Sequence, residues 1–264
     1  MNLNKLNKTF NKEGIIFRKN FIKIEEKKII KNALKKNLSN YLTFFKDNLN
    51  LEDQKFHNQL IKLRKNKKLF GELYDKINLS SDLRSIFYKT KFLKIFSKIL
   101  NTDQVFLNGF MMRFDFPFDG RNSLDWHTDA AYYLQSYPRF NAGVCWLPVT
   151  NNSEHNGTLQ YVKEFSKIIP SSKLISKNKY STSQFILKDS NKIKNIKHLN
   201  QNYGDASFLH MALKHRSGVN HSDKVRISIA CRFHSMSNFN IGKEIYNYNN
   251  IKIQKKDKFI VKKR

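Results

Sequence analysis

Cysteine is nearly absent from this chain: Cys145 and Cys231 are the only two in 264 residues. That excludes a disulfide-stapled secreted scaffold, which depends on several bridges. Both lie in apolar, strand-like runs, so two buried free thiols are expected. No apolar run approaches the ~20 residues that a membrane-spanning helix requires. The opening Met1-Asn2-Leu3-Asn4-Lys5 has no apolar stretch of the secretory type. The expected location is therefore the cytoplasm. Acidic residues are scarce as well: 21 Asp and Glu stand against 49 Lys and Arg, a net charge of +28. A field of that size favours nucleic acid, anionic membrane or an acidic substrate. The lysines, however, are spread through every segment beside many Asn and Ile. This points to compositional bias and not to a focused stripe, and no specific nucleic-acid partner is expected. Non-specific attachment to polyanions at low salt still follows from the charge.

What the chain does have is aromatic bulk, 22 Phe and 11 Tyr, enough for a sizeable core at this length. The expectation is one domain over 1–264, with a mainly helical part over 1–102, a strand-rich core over 103–237 and a basic tail over 238–264. Residues 1–12 are polar and expected to fray. Glu13–Arg18 reads as a short strand. Helical spacing runs from Ile24 to about Phe45, over about Leu51–Asp75, and over Ser81–Leu100 with Ser80 or Ser81 as a cap. From Asp103 the texture changes to aromatic and branched strands: Val105–Phe114, Phe140–Val149, Leu159–Val162, Phe208–Met211 and Val225–Phe233. Between them, Phe116–Leu124 is a turn-rich loop, Ala130–Tyr133 is expected to extend a strand, and Tyr137-Pro138 turns out of it. Residues 165–200 show no firm period. They read as a lid or as a solvated excursion.

The chemistry centres on Trp126-His127-Thr128-Asp129. On an extended strand, His127 and Asp129 leave the same face because they are two apart. An imidazole and a carboxylate make up most of the 2-His-1-carboxylate set that holds non-haem Fe(II) with open positions. The third ligand must come from far along the chain. His215 is the candidate, with Arg226 eleven residues after it; His210, also on a strand-like flank, is the alternative.

Several segments in this order resemble the phytanoyl-CoA dioxygenase family of Fe(II)/2-oxoglutarate oxygenases. They are His127-Thr128-Asp129, Asn156-Gly157-Thr158-Leu159, Gly204-Asp205-Ala206-Ser207-Phe208-Leu209-His210, His215-Arg216-Ser217-Gly218-Val219-Asn220, and Arg226. The resemblance covers about Val105 to His234. It implies an α+β fold, a double-stranded β-helix (jelly-roll) with N-terminal helices packed on one sheet. It also implies Fe(II), 2-oxoglutarate as co-substrate and O2, with His127, Asp129 and His215 as metal ligands. Decarboxylation of 2-oxoglutarate to succinate and CO2 would accompany hydroxylation, or a related oxidation, of a small molecule.

Arg226 suits the far carboxylate of 2-oxoglutarate, since guanidinium offers a planar two-point contact and keeps its proton. Ser217 matches the family position whose hydroxyl assists, and Ser228 shares the Arg226 face by alternation. Trp146 reads either as a wall of the co-substrate site or as plain core. Arg113 and Asp125 lie near the site in sequence, for substrate contact or ordinary salt bridging. A carboxylate at Asp129 disfavours halogenation, where a small residue leaves room for halide. The family's usual turn after Leu159–Val162 is replaced by Lys163-Glu164-Phe165-Ser166-Lys167, and no feature for CoA is visible. The competing readings are a catalytically silent binding or sensing module, a basic nucleic-acid-binding protein, and an oxygenase acting on a macromolecule.

Overall fold

The structure is a computed structural model and describes residues 3–42, 49–132, 141–175 and 184–235. In chain order the elements are α1 (Leu3–Glu13), β1 (Ile15–Arg18), α2 (Ile24–Leu38), α3 (Gln54–Lys65), α4 (Lys67–Leu79), α5 (Ser81–Ser85), α6 (Thr90–Leu100), β2 (Val105–Asp115), β3 (Ala142–Pro148), β4 (Leu159–Val162), β5 (Ser172–Ile175), β6 (Gln184–Leu187), β7 (Ile196–His198), β8 (Ala206–His210), β9 (His215–Ser217) and β10 (Arg226–Ser235).

The large sheet runs β1-β8-β3-β10-β2, all antiparallel, and a small sheet runs β7-β4-β9. A separate β5-β6 hairpin falls within the stretch that showed no period; its connecting residues 176–183 lie outside the description. Ala142, Val144, Trp146, Leu209 and Ala230 of the large sheet and Leu159 of the small one form a single apolar cluster. The two sheets therefore face each other as the jelly-roll expectation required. The opposite face of the large sheet takes the helices, with Cys145, Leu147, Phe208, Ile227, Ile229, Cys231 and Phe233 in the main core. Cys145 and Cys231 sit opposite each other on neighbouring strands as buried free thiols. Among the described residues no helix is long and apolar enough to cross a membrane.

Helix packing explains where the linear reading went astray. Residues 3–12, expected to fray, belong to α1, because Leu6 and Phe10, four apart, bury one face. The Asn7 side-chain amide also donates to the Ile99 carbonyl at 2.6 Å. The region expected over Leu51–Asp75 is two helices: Asn66 is extended and its side chain accepts from the Leu69 amide, capping α4. Ser80 caps α5 through the Leu83 amide; a 3-10 turn over Ile86–Tyr88 and extended Lys89 then separate α5 from α6. On α6, Phe92, Phe96 and Ile99 are buried, and Phe96 stacks on Phe233 with ring centroids 4.2 Å apart. Burying such a ring contributes roughly 1.5–3 kcal/mol. Helix α2 ends at Leu38, and Phe45 lies outside the described residues, as do Tyr137-Pro138 and the tail from Asn238.

Candidate metal centre

His127 and His215 are directly opposed. Each backbone amide donates to the other's carbonyl, at 2.9 and 3.0 Å, so the His127 segment joins the small sheet alongside β9. This reciprocal pairing sets the two imidazoles side by side, ring centroids 4.2 Å apart. Each Nδ1 donates to a carbonyl two residues back, His127 to Asp125 at 2.6 Å and His215 to Leu213 at 2.8 Å. A carbonyl only accepts, so both Nδ1 atoms carry the proton and both Nε2 lone pairs are left as donors to a metal.

One strand expectation is corrected here. His127 makes only an isolated bridge, and Asp129–Tyr132 is a 3-10 turn instead of a continuing strand; Tyr133 is outside the description. The Ala131 amide turns back to the Thr128 carbonyl at 3.1 Å, while the Ala130 amide is held by the Met211 carbonyl at 3.0 Å. The turn brings Asp129 Oδ2 to 3.6 Å from His215 Nε2. One ligand atom each from His127, Asp129 and His215 lies within 4.8 Å of the others, and all three residues are buried. Two imidazole nitrogens and one carboxylate oxygen form a donor set suited to non-haem Fe(II).

The electrostatics suit a cation. Burial, with His215 adding to it, lowers the His127 pKa to about 3, so the ring is neutral and available at physiological pH. For Asp129, burial alone would raise the pKa; Arg232 above all, with His215 and His127, outweighs it and holds the carboxyl well below its ordinary range. Arg232 donates to Asp129 Oδ1 twice, from Nη2 at 2.8 Å and Nε at 3.2 Å.

The adjoining cavity lies between the sheets and includes Met111, Arg113, Trp146, Ser217, Arg226 and Arg232 in its lining. Along β10, residues 226, 228, 230 and 232 all line it, as strand alternation demands. Arg226 Nη2 pairs with Asp115 Oδ2 at 2.7 Å, and Nη1 reaches Ser228 Oγ at 3.4 Å. Its Nε is buried without a hydrogen-bond partner. Burial lowers the Arg226 pKa and the Asp115 carboxylate opposes that, which keeps the guanidinium charged. Ser217 Oγ accepts from the Leu124 amide at 3.2 Å. Arg113 approaches Asp115 at 3.8 Å.

His210 lies elsewhere. Its ring sits between Phe10 and Phe165, its Nδ1 accepts from the Ala212 amide at 3.0 Å, and burial, then Lys167, lowers its pKa to about 4. Among the charged residues at the site, Asp115 and Arg232 escaped the linear reading, and Arg216 stood there only as a letter of the His215 motif. Arg232 had a usable signal, since it stands an even number of residues after Arg226 on one strand. Asp115 had none, because only the β2–β10 register places it opposite Arg226.

The glycines of two sequence motifs have a physical reason. A Cβ on Gly157 (φ +77°) would meet the Asn220 backbone at 2.7 Å, and one on Gly218 would meet the Thr158 carbonyl at 2.6 Å. The two loops touch through bare backbone. Asn220 then donates to the Asp115 and Lys224 carbonyls, at 2.9 and 2.7 Å, tying the loop after β9 to the end of β2 beside Arg226.

A family model described as phytanoyl-CoA dioxygenase matches residues 10–228. The chain belongs to the phytanoyl-CoA dioxygenase family. The match reaches well into the helical third, upstream of the Val105–His234 span over which the sequence motifs carried the resemblance. Solved structures share the fold of this family member at low identity. ThoJ, a non-haem monooxygenase in its apo form, superposes with a TM-score of 0.60 at 20% identity, covering 88% of this chain and 78% of that one. EctD from S. alaskensis, with 2-oxoglutarate and 5-hydroxyectoine, gives 0.59 at 15%, covering 89% and 76%. SnoN, a non-haem α-ketoglutarate-dependent epimerase from nogalamycin biosynthesis, gives 0.56 at 12%, covering 88% and 82%. No curated protein matches the chain in sequence.

Proposed function

We propose that this family member is an Fe(II)/2-oxoglutarate-dependent dioxygenase that hydroxylates, or otherwise oxidises, a small molecule. The observation that carries the reading is the His127–Asp129–His215 cluster, with both Nε2 lone pairs free for metal by virtue of the two Nδ1–carbonyl bonds. When bound, Fe(II) with 2-oxoglutarate and O2 supplies the oxidising power, and 2-oxoglutarate leaves as succinate and CO2.

The remaining work belongs to the protein. Arg226 is the partner for the far carboxylate of 2-oxoglutarate. It is buried, stays charged, and retains an unpartnered Nε–H for an anion. Asp115 holds the guanidinium from the neighbouring strand. Four arginines around the cavity, Arg113, Arg216, Arg226 and Arg232, face two carboxylates, Asp115 and Asp129, a balance that favours a dianionic co-substrate. Trp146, buried on β3, walls the co-substrate site, and Ser217 also lines it. The small-molecule substrate class is supported by the relatives, of which EctD holds 5-hydroxyectoine beside 2-oxoglutarate.

Anaerobic titration of Fe(II) and 2-oxoglutarate tests the proposal through the weak visible charge-transfer band of the chelate. The band is expected in wild type and in His210→Ala, and lost in His127→Ala and His215→Ala. A folded wild type without the band would leave a binding or sensing module as the reading.

A further inference from the structure

We infer that Arg232 is a positioning residue of the metal centre: by gripping one oxygen of Asp129 it makes that carboxylate a one-oxygen ligand. The inference rests on the metal-site reading above. Both contacts, from Nη2 at 2.8 Å and Nε at 3.2 Å, fall on Oδ1, while Oδ2 is the oxygen beside His215 Nε2 at 3.6 Å. The two oxygens of one carboxylate thus have different partners, a guanidinium for one and the histidine cluster for the other.

The fold is arranged to deliver Arg232 there. Opposite it on β2 stands Gly109, which has no side chain to compete for the space, and the β10–β2 register slips between Arg232 and Phe233. Such irregularities bend a strand and re-aim a side chain. The Arg232 side chain is 14% exposed and that of Asp129 3%, so the contact is largely shielded from water. A charge-assisted hydrogen bond in that setting is about twice as strong as a neutral one.

The chemical consequence concerns the open positions of the metal. A carboxylate free to rotate can place both oxygens on one ion, filling a position that 2-oxoglutarate or O2 needs. With Oδ1 occupied by two N–H donors, only Oδ2 is left to the metal. Arg226 and Arg232, six residues apart on one face of β10, then divide the work. The first holds the co-substrate, and the second keeps its place on the metal vacant.

The test uses Co(II) in place of Fe(II), anaerobically, in the full-length protein. Wild type, Arg232→Met and Arg232→Lys are compared by their d–d absorption before any co-substrate is added, then by titration with 2-oxoglutarate. In Arg232→Met the resting d–d spectrum is expected to change shape and intensity, and the 2-oxoglutarate Kd to rise about tenfold or more, as for loss of a ligand's hydrogen-bonding partner. Arg232→Lys, with a single ammonium, is expected to fall between the two, and it serves as the test should Arg232→Met fail to fold. An unchanged resting spectrum in the folded variants overturns the inference. If 2-oxoglutarate binding alone weakens, Arg232 touches the co-substrate and not the ligand geometry. A wild type that binds no Co(II), or binds it equally well as His127→Ala, sinks the metal-site reading itself and is thereby told apart.

Discussion

The two faces of β10 could hardly differ more. Ile227, Ile229, Cys231 and Phe233 point one way, into the core beneath the helices, while Arg226, Ser228, Ala230 and Arg232 line the cavity between the sheets. One strand therefore builds the core with its odd residues and lines the cavity with its even ones. The helices brace the outer face through rings such as Phe96 on Phe233, and that rigidity fixes where the arginines of the inner face stand. Substitutions on the two faces should accordingly separate folding from ligand binding.

The largest effect should come from the core face. Phe233→Ala leaves a hole against Phe92 and Phe96 and is expected to cost about 3–5 kcal/mol in urea unfolding. The fraction still folded should bind Co(II) as wild type does. Weakened metal binding in that fraction would mean that the two faces are not separable.

On the chemical side, His215→Ala should reverse the pattern. Removing a ligand is expected to weaken Co(II) by more than the roughly 100-fold that loss of a ligand's hydrogen-bonding partner reaches. Isothermal titration measures this, and the urea midpoint should shift far less than for Phe233→Ala. Arg226→Lys keeps the charge opposite Asp115 but loses the planar fork. The 2-oxoglutarate Kd is expected to rise about tenfold, the loss of one charge-assisted hydrogen bond, with metal affinity unchanged.

The smallest and broadest effect is the response to acid. Burial lowers the pKa of His57 to about 4, with Lys224 adding to it, and that of His210 to about 4, with Lys167 adding. Between about pH 6.5 and 4 the unfolded chain thus holds more protons than the folded one. Stability contributed by keeping these rings neutral is complete above pH 6.5 and declines as pH falls, by up to about 1.4 kcal/mol per pH unit for each group. His57→Gln should flatten the fall of Tm on acidification; an unchanged slope would place the acid sensitivity elsewhere.

Much of the fold and site was legible in the linear sequence. Aromatic and branched texture marked strands β2, β3, β8 and β10 of the large sheet, and the even step from Arg226 to Ser228 placed both on one face, where the structure has them in contact. The motif glycines were visible as letters, although their reason, bare backbone meeting backbone at Gly157 and Gly218, was not. Helix α1 was missed because its sequence is mostly polar, and the partner for Leu6 and Phe10 comes from distant elements. The 3-10 turn past Asp129, where a strand was expected, was missed because it is stabilised by the Met211 carbonyl, far along the chain.

The sequence by itself determined the residue types and their order: two histidines, a carboxylate and an arginine at family spacing, on segments whose periodicity made them strand or loop. Local chemistry suffices for that, because alternation and turn preference act over a few residues. Only the tertiary structure decided that His215, and not His210, stands against His127. Only it decided that Arg226 pairs with Asp115, and that Arg232 reaches Asp129 across 103 residues of chain. Those pairings follow from strand register, and register is fixed by which faces the two sheets and the helices bury together.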